Sequence, residues 1–303
     1  MKNTYKKIMQ NDELLFKLET SFKFGFITLL FALVVLMVTY TQLKITLVYF
    51  VQQGFPGAVN FQEAYYAYLS SELIDDIPFF IVGFFIICFL GYYAAVIMIR
   101  PFRAIGNCCE ERMNNETRFY EPDFFSDLKL LTSFSSFFFS KVDEAKVRGK
   151  IQSIEIPEDY TKIHKPILEK NFFVNYLLLI VIITLLASVG LFLLHTELRE
   201  RIVALSFKFM KNNENVKFFL DQQFEISEMF VNFLLFLHFV VNIIFGIHLY
   251  QKVSSPAFAV FATMRSFLKG NYHNRIHLIG YYYLRDHCRK INKYLDRIQK
   301  ELT

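Results

Sequence analysis

Residues 172–194 read FFVNYLLLIVIITLLASVGLFLL and contain no charged side chain. As a helix rising 1.5 Å per residue, this stretch is about 34 Å long, enough to cross the ~30 Å hydrocarbon core of a bilayer. In lipid its backbone N–H and C=O groups must be satisfied within the segment, so it reads as a transmembrane helix. Residues 22–43, 77–99 and 229–249 read the same way. In the first of these, Lys23 and the following Lys44 lie at the ends, where a long side chain reaches back to the headgroups. Of the 303 residues, 54% are apolar and only 20% are charged. The charges are blocked rather than scattered, which excludes an ordinary soluble helical domain, whose helices each keep a polar face. The 37 Phe and 17 Tyr suit lipid-facing and headgroup-level positions.

Lys and Arg set the expected orientation. Residues 52–76 have none and carry Glu63, Glu72, Asp75 and Asp76. Residues 100–171 hold twelve, and the tail after Tyr250 holds ten. Lys2, Lys6, Lys7 and Lys17 add to the N-terminal side. Residues 196–228 are nearly balanced. The expected arrangement is a multi-pass protein of the inner or plasma membrane, with both termini and the middle segment cytoplasmic. Residues 1–21 form a polar cytoplasmic segment without the pattern of a cleavable signal. The basic tail fits anionic lipid headgroups, whereas no reading motif points to nucleic acid. Cys88 falls in a span. Cys108, Cys109 and Cys288 fall in segments expected to be cytoplasmic and reduced, and form neither a disulfide framework nor a metal set.

The expected fold is an all-α membrane protein of two tandem halves. The first is a helix pair over 22–99 with an outer segment at 52–76, followed by a helical hairpin over 100–150. A linker, 151–171, leads to the second pair, 172–250, with an outer segment at 196–228. A C-terminal hairpin occupies 251–303. Helices are expected in the outer segments, over 60–73 with Phe61, Tyr65, Tyr68 and Leu69 as a stripe, over 200–209, and over 216–230, extending the membrane helices outward and capping the bundle. Pro101 follows the second span and Pro256 the fourth, each as the expected start of a hairpin. Proline suits the first turn of a helix, where its missing N–H costs nothing.

The C-terminal hairpin carries the sharpest local pattern. A helix from Pro256 to about Lys269 is stopped by Gly270 and Asn271. A connector follows with Arg275, Ile276, Leu278 and Gly280. A second helix from about Tyr282 to Leu302 places Leu284, Cys288, Ile291, Leu295 and Ile298 at heptad seam spacing. This combination, with Asn292 ahead of Leu295, resembles the HAMP domain, the linker module of membrane-bound signalling proteins. The resemblance covers 256–302 and, more weakly, 101–145. There Ile105, Cys109 and Met113 are the inward positions of the first helix. Asn114 and Asn115 replace its Lys-Gly stop, and the connector contains Phe119 and Pro122. The second helix begins near Phe124 or Asp127, with a seam of Leu128, Leu131, Ser135, Phe138 and Val142. Where the family opens its second helix with an acidic residue, this chain has Tyr281 and Tyr282. The resemblance implies a parallel four-helix bundle coupling a membrane helix to an output. The two hairpins either pair within one chain or pair with their copies in a homo-oligomer, the expected arrangement.

Chemistry is not expected. There is no phosphate-binding glycine loop, HExxH or nucleophile elbow, and no catalytic, cofactor or metal residue is assigned. Ser133, Ser135 and Ser136 read as helix-surface or close-packing residues. In the fourth span, Asn232, His238 and Asn242 read as interhelical polar residues, with His238 and Asn242 four apart on one face. The expected function is a non-enzymatic membrane signal relay or adaptor acting on a membrane or cytoplasmic protein partner. A structural subunit of a larger membrane complex, or a channel or transporter, are the alternatives.

Overall fold

The computed structural model describes residues 11–55, 57–114, 120, 128–150, 153–166, 168–210 and 214–302, with the side chains of 69–76, 129 and 302 set aside. Asn115, Phe119, Pro122, Phe124 and Asp127 lie outside the described residues, as do Lys2, Lys6 and Lys7. Every described helix or turn is α or 3-10, and no strand occurs among the described residues. The helices are α1 (Asp12–Gln52), α2 (Ala58–Met113), α3 (Lys129–Arg148), α4 (Glu158–Thr161), α5 (Lys170–Met210), α6 (Glu214–Leu268) and α7 (Arg285–Leu302). Helices α1, α2, α5 and α6 each contain a stretch long and apolar enough to cross a membrane. Their lipid-facing sides keep Phe79, Phe85, Phe89, Leu193, Phe233 and Phe236 exposed.

The described residues form two compact units. One comprises Ser21–Gly91 and Ile180–Ile244. One end closes over a core of Leu43, Leu47 and Phe50 from α1, Phe61 and Tyr65 from α2, Ile202, Leu205 and Met210 from α5, and Val216, Leu220 and Phe224 from α6. Tyr49 and Phe219 stack at 3.9 Å. Gln223 accepts a bond from the Thr46 hydroxyl at 2.8 Å and donates one to the Gln42 carbonyl at 2.8 Å. The outer helices expected near 60–73, 200–209 and 216–230 are continuous with α2, α5 and α6. α5 and α6 carry no glycine or proline at these positions, and α2 remains helical through Pro78, so each helix continues past its span.

The other unit comprises the described residues of Met1–Thr20, Tyr92–Leu179 and Phe245–Thr303. It holds the start of α1, the ends of α2 and α6, and α3, α4 and α7. Here the expected hairpin starts need correction. Pro101 and Pro256 open no helix; both lie inside unbroken ones, α2 of 56 residues and α6 of 55. A proline inside a helix deprives the carbonyl four residues earlier of its donor. For Pro256 that carbonyl belongs to Lys252, and the Tyr283 hydroxyl donates to it at 2.8 Å. A side chain from the far arm of the hairpin replaces the lost backbone bond, so the helix continues. The linker is anchored at both ends. The Ile154 N–H bonds the Leu268 carbonyl at 2.9 Å, and the Arg265 guanidinium donates to the carbonyls of Tyr160 and Ile163. The Glu169 carboxylate accepts the Leu130 N–H at 2.7 Å, satisfying a donor at the start of α3 that no side-chain cap on its own residue serves.

Candidate functional site: the paired hairpins and their clasp

The direction of the four bundle helices follows from which residues meet. Along α2 and α7, Gly106 lies beside His287, Glu110 pairs with Lys290 at 2.6 Å, and the Met113 carbonyl accepts from Arg297. Along α3 and α6, Phe134 meets Phe261 at 4.7 Å, Ser135 bonds the Met264 sulfur at 3.8 Å, and Phe138 meets Phe267 at 6.2 Å. Along α3 and α7, Phe139 meets Tyr294 at 5.9 Å and Lys146 pairs with Glu301 at 3.4 Å. Residue numbers rise together in every pair, so the four helices run parallel. The first helix of each hairpin packs on the second helix of the other. Arg112 joins α2 to α3, pairing with Asp143 at 2.7 Å over the face of Phe139.

The heptad positions point into this bundle. Leu284, Ile291, Leu295 and Ile298 are fully buried and Cys288 nearly so. In the other hairpin Leu128, Leu131, Ser135, Phe138 and Val142 are buried, as are Ile105 and Cys109, while Met113 is half-buried. Ser135 is thus a packing residue. Burial pushes the Cys288 thiol up to about 12, which leaves little reactive thiolate at neutral pH. Gly106 sets the spacing of α2 and α7: a Cβ there would lie 3.3 Å from the Cα of His287.

The connector is held by two side chains. Gly270 and Gly280 take positive φ values of 100° and 85°, conformations that glycine adopts without strain, and so mark its ends. Between them, Ile276 is buried while Leu278 is half-buried. Asn292 of α7 brackets Ile276, accepting its N–H at 2.8 Å and donating to its carbonyl at 3.0 Å. Arg275 pairs with Asp296 at 2.7 Å, bonds Gln299 at 2.6 Å and donates to the carbonyls of Tyr272 and Asn274. Asn292→Ala strands both backbone groups of Ile276. The expected cost is about 1–3 kcal/mol locally, seen as faster hydrogen exchange at the Ile276 amide with the α5 amides unchanged. Equal exchange in both proteins would mean that the bracket does not hold the connector.

The sequence did not reveal a third component, the start of α1. Asp12 pairs with Arg285 at 3.1 Å, Phe16 stacks on Tyr283 at 4.0 Å, and Glu19 accepts from the Tyr282 hydroxyl at 2.9 Å. Glu13 meets Lys17, Arg103 and His287, the last at 3.0 Å. Burial pushes the Glu13 carboxyl up, but hydrogen bonds from His287, Lys17 and Arg103 outweigh it and hold the group far below the usual carboxylate range. The segment leading into α7 begins with Tyr281 and Tyr282 rather than an acid, and α1 brings acids to the same place. This clasp ties the first membrane helix to the last hairpin.

In the fourth span the three polar residues separate. His238 is fully buried, 3.0 Å from the Ser188 hydroxyl and 3.5 Å from the Thr28 hydroxyl, and so joins α6 to α5 and α1. Asn242 is buried but donates to the His238 carbonyl of its own helix at 3.0 Å. Asn232 is exposed, because six residues from His238 is well off its face at 100° per residue. No cluster of His, Cys, Asp and Glu suited to a metal occurs among the described residues. No family model, curated protein or solved structure matches the chain. The site therefore stands on its own geometry.

Proposed function

We propose that the chain relays movement of its membrane helices to the parallel bundle, and through the bundle to a protein partner, as a HAMP-like module with both hairpins in one polypeptide. The observation that carries this reading is the continuity of α2 and α6, each of which holds an apolar span and a bundle helix without a break. Rotation or sliding of either span passes along the same helix into the bundle, through Pro101 in α2 and through Pro256 in α6, where the Tyr283 hydroxyl replaces the lost bond. Close-packed cores respond to such displacement by switching between arrangements rather than by deforming gradually. The connector bracket and the α1 clasp add rigid ties to the same bundle. In this reading the halves are copies of one design, the hairpins lie in the cytoplasm with both termini, and the output is non-enzymatic. The bundle is complete within one chain, so the homo-oligomer expected from the sequence is not needed to build it.

Crosslinking tests the proposal. In a chain freed of its native cysteines, Ser135→Cys with Met264→Cys should form a disulfide in membranes, with the product migrating as a monomer. One alanine inserted after Gln251 turns everything beyond it by about 100° relative to the fourth span. The yield should then fall at least threefold. Seven inserted residues, close to two full turns, should restore it. A yield indifferent to the single insertion would sink the relay, and a dimeric product would move the pairing between chains.

A further inference from the structure

The connector does not stay deep in the water-filled side of the molecule. α6 carries the chain away from its span to Leu268, and the connector then brings it back. Lys252 lies three residues beyond Leu249, the end of the expected span, about 4.5 Å along the helix axis. Tyr283 is bonded to its carbonyl at 2.8 Å. Tyr282 is bonded to Glu19, three residues before the apolar stretch of α1 begins at Phe22. The turn over 279–282 is therefore at headgroup depth. At its tip Ile279 is 95% exposed, the most exposed large apolar side chain among the described residues. Burying it in the acyl boundary would remove that apolar surface from water.

Beside the tip, the connector and α7 enclose a half-open cleft of about 380 Å³. Its lining includes Arg285, Arg289, His277, Tyr281 and Tyr282. Arg285 and Arg289 are four apart on one helix face. Two acids border them, Asp12 at 3.1 Å from Arg285 and Asp286 at 3.7 Å from Arg289. Both arginines are more than half exposed in these pairs, so the pairs are weak and leave guanidinium donors available. Guanidinium groups bind phosphate oxygens in pairs of parallel hydrogen bonds, and a tyrosine such as Tyr281 at this depth suits the glycerol region.

We infer that this cleft seats the phosphate of an anionic phospholipid while Ile279 inserts into the leaflet, pinning the connector to the membrane surface. The inference rests on the passage of α6 through a bilayer and is independent of the relay. The test uses the full chain in nanodiscs of phosphatidylcholine, with or without about 30% phosphatidylglycerol. Native mass spectrometry should show phosphatidylglycerol retained on the wild type, and retention should fall at least fivefold in Arg289→Gln and in Arg285→Gln with Arg289→Gln. Arg289→Gln alone leaves the Asp12 clasp intact and controls for unfolding. A fluorophore on Ile279→Cys, in the chain lacking native cysteines, should be quenched by lipids spin-labelled near the headgroup. Retention unchanged in Arg289→Gln, or an unquenched fluorophore, would overturn the inference. Equal displacement of the lipid by millimolar inorganic phosphate would assign the cleft to a free anion instead and overturn it as well.

Discussion

Phe138→Ala should weaken the bundle by about 3–5 kcal/mol, the cost of a large cavity where neighbours cannot collapse inward. Phe138 is fully buried, with its ring against Phe139 at 5.5 Å and Phe267 at 6.2 Å. Both neighbours sit on helices clamped elsewhere, Phe139 under Arg112 and Phe267 beside the linker bond to Leu268. The native cysteines report the effect. Cys109 is fully buried and Cys288 nearly so, and a thiol reagent reaches them only when the bundle opens. At tenfold per 1.4 kcal/mol, labelling of the full chain should accelerate by about two to three and a half orders of magnitude. Val147→Ala, at a position on the same helix that is 90% exposed, should leave the rate within threefold. If Phe138→Ala labels no faster than Val147→Ala, the bundle is not the closed core described.

Glu13→Gln should have the second largest effect, about 2 kcal/mol at neutral pH. The variant leaves Lys17, which is only 7% exposed, beside Arg103 and His287 with no anion among them. Removing one partner from a buried ionic group costs more than the group contributes when intact, though Glu13 is partly solvated and the cost is reduced accordingly. The pH dependence has a definite sign. The folded carboxyl titrates far below its ordinary value of 4.5, so its contribution is fully present above that value. It is lost as the pH falls below 4.5 toward the folded value. Thermal midpoints of the full chain in detergent, from pH 7 to pH 3.5, should fall through this window for the wild type. The variant should start lower and show a shallower slope. Parallel curves offset by a constant would show that Glu13 does not carry the titration.

Different physical signals divide what the sequence reveals here. Four spans can be read directly because hydropathy is local: 172–194 needs no neighbour to be recognised. The seam from Leu284 to Ile298 can be read for a similar reason, since spacing of three and four marks one helix face whatever packs on it. The prolines mislead. Pro101 and Pro256 carry the ordinary signature of a helix start, and only the Tyr283 hydroxyl at the Lys252 carbonyl shows how a helix passes through one of them. Asn292 and Arg275 can be picked out beside the seam, but their bonds to Ile276 and Asp296 depend on a fold-back of 16 and 21 residues that spacing does not specify. The clasp is the extreme case. Glu13 and His287 are 274 positions apart, and no periodicity links them. Asn232 looked equivalent to His238 by residue type and separated from it by helix phase.

The clasp also governs how the protein is made. Asp12, Glu13, Phe16 and Glu19 are among the first described residues to leave the ribosome, yet their partners in Tyr282, Tyr283, Arg285 and His287 are among the last. Until α7 has been synthesised, Phe139 of α3 lacks its cover in Tyr294, and the nascent chain offers a greasy, half-finished surface to the quality-control machinery. Closure of this unit thus waits for α7, and a chain stopped before it lacks the partners of Asp12, Glu13, Phe16 and Glu19.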